Sequence, residues 1–302
     1  MQAFHSNQYV IDLPDNHKFP IIKYAKIRER LIDEGTLRQE DISEPALASR
    51  DEILLVHTAD YHDRFVAGQL TAREVRRLGL PWSESLVRRS RFSVAGTMAA
   101  AHQALKEGIS ANLGGGTHHA FADHGEGFCV FNDIAIAINL LRAEGFIHRA
   151  AIIDCDVHQG NGTAAIFADE PEVFTLSLHG EKNYPLIKQQ STIDVALADG
   201  TEDEEYLYLL QENLAPILER FRPDIIFYQA GVDSLRGDRL GRLALSHEGL
   251  QKRDQMIFAA CQARSLPCVI TLGGGYGKNV EDTVEAHCNT IRTACEIFAQ
   301  DM

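Results

Sequence analysis

The 302-residue sequence has no C-x-x-C pair and no cysteine spacing that would build a zinc ribbon. Its six cysteines, Cys129, Cys155, Cys261, Cys268, Cys288 and Cys295, stand singly. Cys155 and Cys268 fall in apolar runs, where a free thiol packs as a small hydrophobe. This usage suits a reducing compartment. Basic charge is also scarce: 29 Lys and Arg face 43 Asp and Glu, a formal net charge of -14. That balance repels phosphate and argues against direct nucleic-acid binding, while its sign suits cationic substrates such as histones or polyamines. No apolar run approaches the ~18 residues of a membrane span. Met1-Gln2-Ala3-Phe4-His5 is not a basic stretch followed by an apolar core, so no signal peptide and a cytoplasmic location are expected. There is no repeat, low-complexity tract or Pro/Gly/Ser linker. With 45% hydrophobic residues, the expectation is a single domain over residues 1–302.

Short apolar runs alternate with longer amphipathic ones. Residues 52–57, 110–113, 150–156, 173–179, 192–197, 224–230 and 268–272 read as strands. Helical patterns cover 21–34, 83–106 with Ser83 as N-cap, 131–144, 163–168, 246–264 and 280–298. A further helix starts near Thr58, and Thr201-Glu202-Asp203-Glu204 reads as a capping box for one running to residue 221. Residues 64–80 are polar and read as peripheral. Several strands are apolar throughout, which predicts an α/β fold: a parallel sheet sandwiched between helices, in three layers α/β/α.

The chemistry gathers between Gly114 and Asn161. Gly114-Gly115-Gly116-Thr117-His118-His119 offers a glycine turn delivering two imidazoles. Asp154-Cys155-Asp156-Val157-His158-Gln159-Gly160-Asn161 ends an apolar run in two carboxylates and a histidine. Were 150–158 one strand, its period of two would point Asp156 and His158 to one face, as suits a divalent metal with oxygen and nitrogen ligands. Asp154 is in phase with them and could orient a neighbouring histidine. A lone His-His pair is more often a solvated loop, a lone Asp-x-His a surface turn, and a glycine triplet only a turn. All three in one segment, each adjoining an apolar run, mark an active-site segment. Asp233 and Tyr276 also directly follow apolar runs, and ligands of parallel sheets bind beyond the carboxyl ends of strands. Asp233 would be a third metal ligand, a histidine the proton acceptor and Tyr276 an oxyanion donor: the parts of a metal-dependent amide hydrolase.

The order and spelling of the motifs resemble the zinc-dependent histone deacetylase family, with its arginase/deacetylase fold. The resemblance rests on His57-Thr58 with Tyr61, GGGTHHA, GFCVFND (Gly127 to Asp133), DCDVHQGNGT, LSLHG, AGVD and GGGY. His17-Lys18-Phe19-Pro20 with Lys23-Tyr24, Pro81-Trp82-Ser83, Gly200-Thr201-Glu202-Asp203, Gly237-Asp238-Arg239-Leu240-Gly241 and Lys252-Arg253-Asp254 look like its class IV branch. The resemblance implies one Zn2+ per chain on Asp156, His158 and Asp233. It implies His119 as general base and acid, His118 as its electrostatic partner held by Asp154, and Tyr276 as catalytic tyrosine. It also implies a K+ or Na+ site at Asp154, Asp156, His158, Ser177 and Leu178. Phe128 and Tyr184 match the aromatics of an acyl-lysine channel, with Gly127 beside them and Leu240 at the mouth. Asn161 departs from the class I pattern, where an aspartate stands beside the second histidine, so His119 should be less basic.

The implied reaction is removal of an acetyl or longer fatty acyl group from the ε-amino group of lysine in a protein or peptide. Small acylated amines are the alternative, though a glutamate at Leu240 would have pointed more strongly to polyamines. A silent acyl-lysine binder would have lost a ligand, histidine or tyrosine, and none is lost. A binuclear manganese site of the arginase kind needs carboxylates where Gly160 and Leu235 stand, and fails. Acyl preference and oligomeric state are not legible.

Overall fold

The computed structural model describes residues 1–15 and 17–299. Eight strands form one sheet: β1 (Gln2–Phe4), β2 (Ile42–Ser43), β3 (Ile109–Asn112), β4 (Ala150–Asp154), β5 (Val173–Gly180), β6 (Ile193–Leu197), β7 (Ile225–Gln229) and β8 (Cys268–Thr271). Their order is β2-β1-β3-β8-β7-β4-β5-β6, and every ladder is parallel. The helices are α1 (Lys23–Asp33), α2 (Arg50–Ile53), α3 (Ala59–Val66), α4 (Ala72–Leu78), α5 (Glu84–Glu107), α6 (Asp133–Ala143), α7 (Asn161–Ile166), α8 (Asp203–Ala215), α9 (His247–Gln262) and α10 (Val280–Phe298). Among the described residues no helix is long and apolar enough to cross a membrane.

Two cores explain why the central strands read as unbroken apolar runs. On β4, Ala151 and Ile153 pack with Leu31 of α1, Leu210 of α8, Phe258 of α9 and Ile291 of α10. Ala150 and Ile152 face the other way, toward Phe65 of α3, Val94 of α5 and Ile138 of α6. Side chains alternate across a strand, so a sheet covered on both faces needs apolar residues at every position. This is the expected three-layer α/β/α arrangement.

Four local readings differ from the structure. Residues 52–57 are not a strand, because Ser49 and Glu52 form a capping box that starts α2, and a turn follows. Residues 64–80 are not simply peripheral: Phe65, Leu78 and Leu80 are buried, and α4 carries its own capping box from Thr71 and Glu74. Thr201 does not cap α8, whose N-cap is Glu202 without a side-chain bond. Asp203 instead accepts from the backbone N and hydroxyl of Ser246, the N-cap of α9. The helix to residue 221 changes at Pro216 into a wider π turn, as proline supplies no backbone N–H. Strands β1 and β2, of three and two residues, are too short to show a period, and no sequence pattern marks them.

A buried polar network ties α9 to the end of β7. Asp254 accepts from Arg253 Nε at 3.0 Å and Thr290 Oγ1 at 2.6 Å, and from the Tyr228 hydroxyl. Arg253 Nη1 donates to the Gly231 carbonyl at 2.6 Å, two residues before Asp233. Arg253 and Asp254 are essentially inaccessible, so removing one partner strands a charge. Asp254→Ala is expected to lower unfolding stability by about 3–5 kcal/mol. Urea denaturation checks this; unchanged stability would show that the network does not hold the helix.

Candidate active site

Strands β3, β8, β7 and β4 are neighbours, and the four motif loops leave their carboxyl ends side by side. Gly115 and Gly116 adopt φ of 70° and 79°, a conformation costly for side-chain-bearing residues, and so turn the chain toward the site. The Asp133 carboxylate pins this turn by accepting from the backbone N of Gly116 at 2.9 Å and of Thr117 at 2.7 Å. The rings of His118 and His119 then lie 4.1 Å apart. His118 Nδ1 is 2.6 Å from Asp154 Oδ2, and His119 Nδ1 is 2.7 Å from Asn161 Oδ1.

Strand β4 ends at Asp154, so Asp156 and His158 sit on the following loop rather than on one strand face. The strand periodicity expected for them therefore does not place them. Loop hydrogen bonds do: Asp156 N donates to Asp154 Oδ1 at 3.1 Å, and Val157 N to Asp233 Oδ1 at 2.9 Å. One donor atom from each of Asp156, His158 and Asp233 lies within 4.8 Å of the others, all buried. His158 Nδ1 is 3.0 Å from both Asp156 Oδ1 and Asp233 Oδ2. Burial disfavours charge on His158, yet hydrogen bonds to the two aspartates and their charges push its pKa up to about 10. Burial and the Asp156 charge push Asp233 up to about 7. Positive charge is strongly favoured at this point. Two carboxylates and one imidazole nitrogen suit a divalent ion of the zinc kind.

The two histidines are driven apart electrostatically. Burial disfavours a charged His118, but the Asp154 charge, the Asp156 charge and the Asp154 hydrogen bond outweigh it, giving about 9. His119 is held well below the usual histidine range by burial and by the charges of His118 and His158. These opposite shifts favour the charged form on His118 and the neutral form on His119. Tyr276 is buried, and burial with the Asp156 and Asp233 charges raises its phenol, which keeps its proton to donate.

The Tyr276 loop is clamped by groups that sequence patterns did not single out as functional. Lys23 Nζ donates to the Gly273 carbonyl at 2.8 Å, Gly274 N to Asp156 Oδ2 at 2.8 Å, and Tyr276 N to Asp238 Oδ2 at 2.6 Å. Lys23 is fully buried on a helix that otherwise packs apolar residues, a local inconsistency that marks it in retrospect.

Gly127, Phe128, Tyr184 and Leu240 line a cleft of about 390 Å³ that reaches His119, His158 and Tyr276. Glu126-Gly127-Phe128-Cys129 is a tight turn, with Glu126 N to Cys129 O at 3.0 Å and Cys129 N to Glu126 O at 2.8 Å. Its central residues have φ of 53° and 68°, which is uncommon for a phenylalanine and holds that ring at the channel. A Cβ on Gly127 would meet His119 Cδ2 at 2.7 Å, so the turn can approach the histidine only as glycine. Beyond the histidines lies an inner chamber of about 30 Å³, bounded by Phe19, Tyr24, Arg89, Cys129 and Tyr276. Across β4 and β5, Asp154 registers with Ser177, and the buried Leu178 follows.

A model of the histone deacetylase domain matches residues 17–291. An uncharacterized protein of Picosynechococcus is 42% identical over 290 residues, covering 96% of this chain and 97% of that protein. Histone deacetylase 2 of Arabidopsis thaliana is 34% identical over 89% of this chain and 73% of its own length. A probable deacetylase of Methanothermobacter thermautotrophicus is 32% identical over 91% and 86%. The crystal structure of the HDA15 HD domain superposes with a TM-score of 0.83 at 23% identity, covering 98% of this chain and 88% of that one, a likeness of fold. Matched over nearly its whole length, and with the motif loops gathered at one edge of the sheet, the chain belongs to the histone deacetylase family.

Proposed function

We propose that the protein hydrolyses the amide of an N-acyl-lysine side chain, releasing the free amine and a short carboxylate. Asp156, His158 and Asp233 would hold one zinc ion, whose Lewis acidity activates water and polarises the amide carbonyl. The neutral His119 takes a proton from water at Nε2, because Nδ1 is engaged by Asn161. The same nitrogen returns it to the departing amine. Cationic His118, fixed by Asp154, offsets negative charge developing beside it. Tyr276 donates its phenolic proton in a hydrogen bond to the carbonyl oxygen as that oxygen gains charge. A K+ or Na+ held by Asp154, Asp156, His158, Ser177 and Leu178 belongs to the same reading, supported by the β4–β5 register.

The observation that carries this reading is the buried Asp156–His158–Asp233 cluster, whose His158 shares one cleft with His119 and Tyr276. The inner chamber of about 30 Å³ behind the cleft is small, which supports a short acyl group over a fatty chain. Acetyl is therefore the acyl group favoured. The class IV motifs are part of the proposal: Lys23 of that set clamps the Tyr276 loop, and Arg253 and Asp254 brace the chain before Asp233.

Three predictions test it. Asp233→Asn removes a charged donor from the cluster and is expected to reduce zinc per chain, read by elemental analysis after dialysis; unchanged zinc would require a different third ligand. On lysine peptides carrying acetyl, octanoyl or myristoyl, turnover should be greatest for acetyl and abolished in His119→Ala. Tyr276→Phe should lower kcat about 10²–10³-fold while retaining zinc. Preference for the long chains would overturn the acetyl assignment. No turnover of any peptide by the zinc-loaded protein would sink lysine deacylation and leave small acylated amines or acyl-lysine binding.

A further inference from the structure

The cleft mouth contradicts the charge of the whole molecule. Lys18, Arg76, Arg77, Lys182 and Arg242 line it, all exposed, and among the described residues no acidic side chain does, although the net charge is -14. Lys182 and Arg242 share Asp199, at 3.9 and 3.2 Å. Among the described residues, Lys18, Arg76 and Arg77 have no carboxylate partner within 4.0 Å. Arg76 and Arg77 close α4, whose last turn also holds the channel turn: Gly127 N donates to the Arg77 carbonyl at 3.2 Å, and Phe128 N to that of Leu78 at 2.8 Å. The collar is thus fixed relative to the channel. Resting on the lysine-deacylase reading, we propose that the collar selects acyl-lysine in an acidic peptide segment, with Asp or Glu on either side, rather than in a polybasic tail. A wall of one sign at a cleft mouth raises the local concentration of the opposite sign and repels its own.

The test uses zinc-loaded protein and fluorescent acetyl-lysine peptides flanked by Asp or by Lys, with Kd from anisotropy and KM from turnover. At low salt the acidic peptide should bind about tenfold tighter or better, with the advantage shrinking toward unity at high salt. In Arg76→Glu/Arg77→Glu the preference should vanish or reverse. Equal affinities, a preference for the basic peptide, or an unchanged preference in the variant would overturn the collar. Binding reads the collar without turnover, so failure of the hydrolase reading shows separately, as peptides that bind and are never cleaved.

A second inference comes from behind the base. Asn161 Oδ1 faces His119 Nδ1 at 2.7 Å, and Asn161 Nδ2 donates to Glu126 Oε1 at 2.7 Å. An amide has one accepting and one donating end, and a carboxylate accepts only. Glu126 therefore forces the Asn161 nitrogen toward itself and its oxygen toward His119, which must then carry its proton on Nδ1. The lone pair of Nε2 is left facing the cleft. We infer that Glu126 is a positioning residue that sets the His119 tautomer through Asn161, returning at one remove the carboxylate that an asparagine beside the histidine lacks. The turn that holds the Phe128 ring also holds Glu126, so channel wall and base orientation share one element.

A glutamine at this place can present either end to Asn161, and the constraint is lost. In 15N-histidine-labelled holoprotein, long-range 1H–15N spectra, with His119→Gln for assignment, should show His119 wholly as the Nδ1–H tautomer. Glu126→Gln should give a mixture of tautomers and a kcat lower by about tenfold, with KM within about twofold. The exchange Glu126→Gln/Asn161→Asp puts the carboxylate beside the histidine and the amide behind it, and should restore a single Nδ1–H form. An Nε2–H form in the wild type, or a wild-type tautomer and kcat in Glu126→Gln, would overturn the assignment. The spectrum reads the tautomer whether or not the protein cleaves acyl-lysine.

Discussion

The site depends on one electrostatic constraint: Asp156 and Asp233 are both fully enclosed and approach the same imidazole nitrogen at 3.0 Å. Two carboxylates taken out of water repel each other and lose hydration unless positive charge is placed between them. The protein meets that demand with donors and cations on every side. Val157 N and Gly274 N donate to the two carboxylates, and buried Lys23 lies close enough for Asp233 and Asp156 to stabilise its charge. Burial still dominates Lys23, lowering its pKa to about 8. Arg253 braces the Gly231 carbonyl from behind. What looks like a set of separate motifs is a single arrangement for holding negative charge in a dry place.

The same constraint divides labour between the histidines. Adjacent in sequence and 4.1 Å apart, they cannot both be charged in a buried site. A full carboxylate beside His118 and a neutral amide beside His119 decide which one keeps its proton. The aspartate expected from class I would work against that division by stabilising charge on His119. Asparagine with Glu126 behind it keeps the orientation and places the charge further away.

Most of the architecture was legible because a parallel sheet covered on both faces requires short, wholly apolar strands, and amphipathic helices announce themselves by period and cap. Ser83 and Ser246 cap the helices they precede, and α10 begins and ends where its pattern does. Misreadings came where a local signal was recruited elsewhere. Asp203 resembles part of a box for its own helix but serves Ser246 of α9, and Ser49 with Glu52 turns an apolar stretch into α2. Periods are local properties, and the partners of a capping side chain are not.

By itself the sequence determined the fold class, the family and the residue types of the site, since the motifs His118-His119, Asp156-x-His158, Asp233 and Tyr276 each follow an apolar run. Only tertiary structure decided what joins them. Asp133 on the His-His turn, Lys23 on the Tyr276 loop and Glu126 behind Asn161 act across 16, 250 and 35 residues of chain. The basic collar is likewise invisible in a net charge of -14, because composition sums over the surface while a cleft sees only the side chains at its mouth. Hydrogen-bond direction and local field depend on positions in space, and those arise only when the strands stand in the order β3-β8-β7-β4.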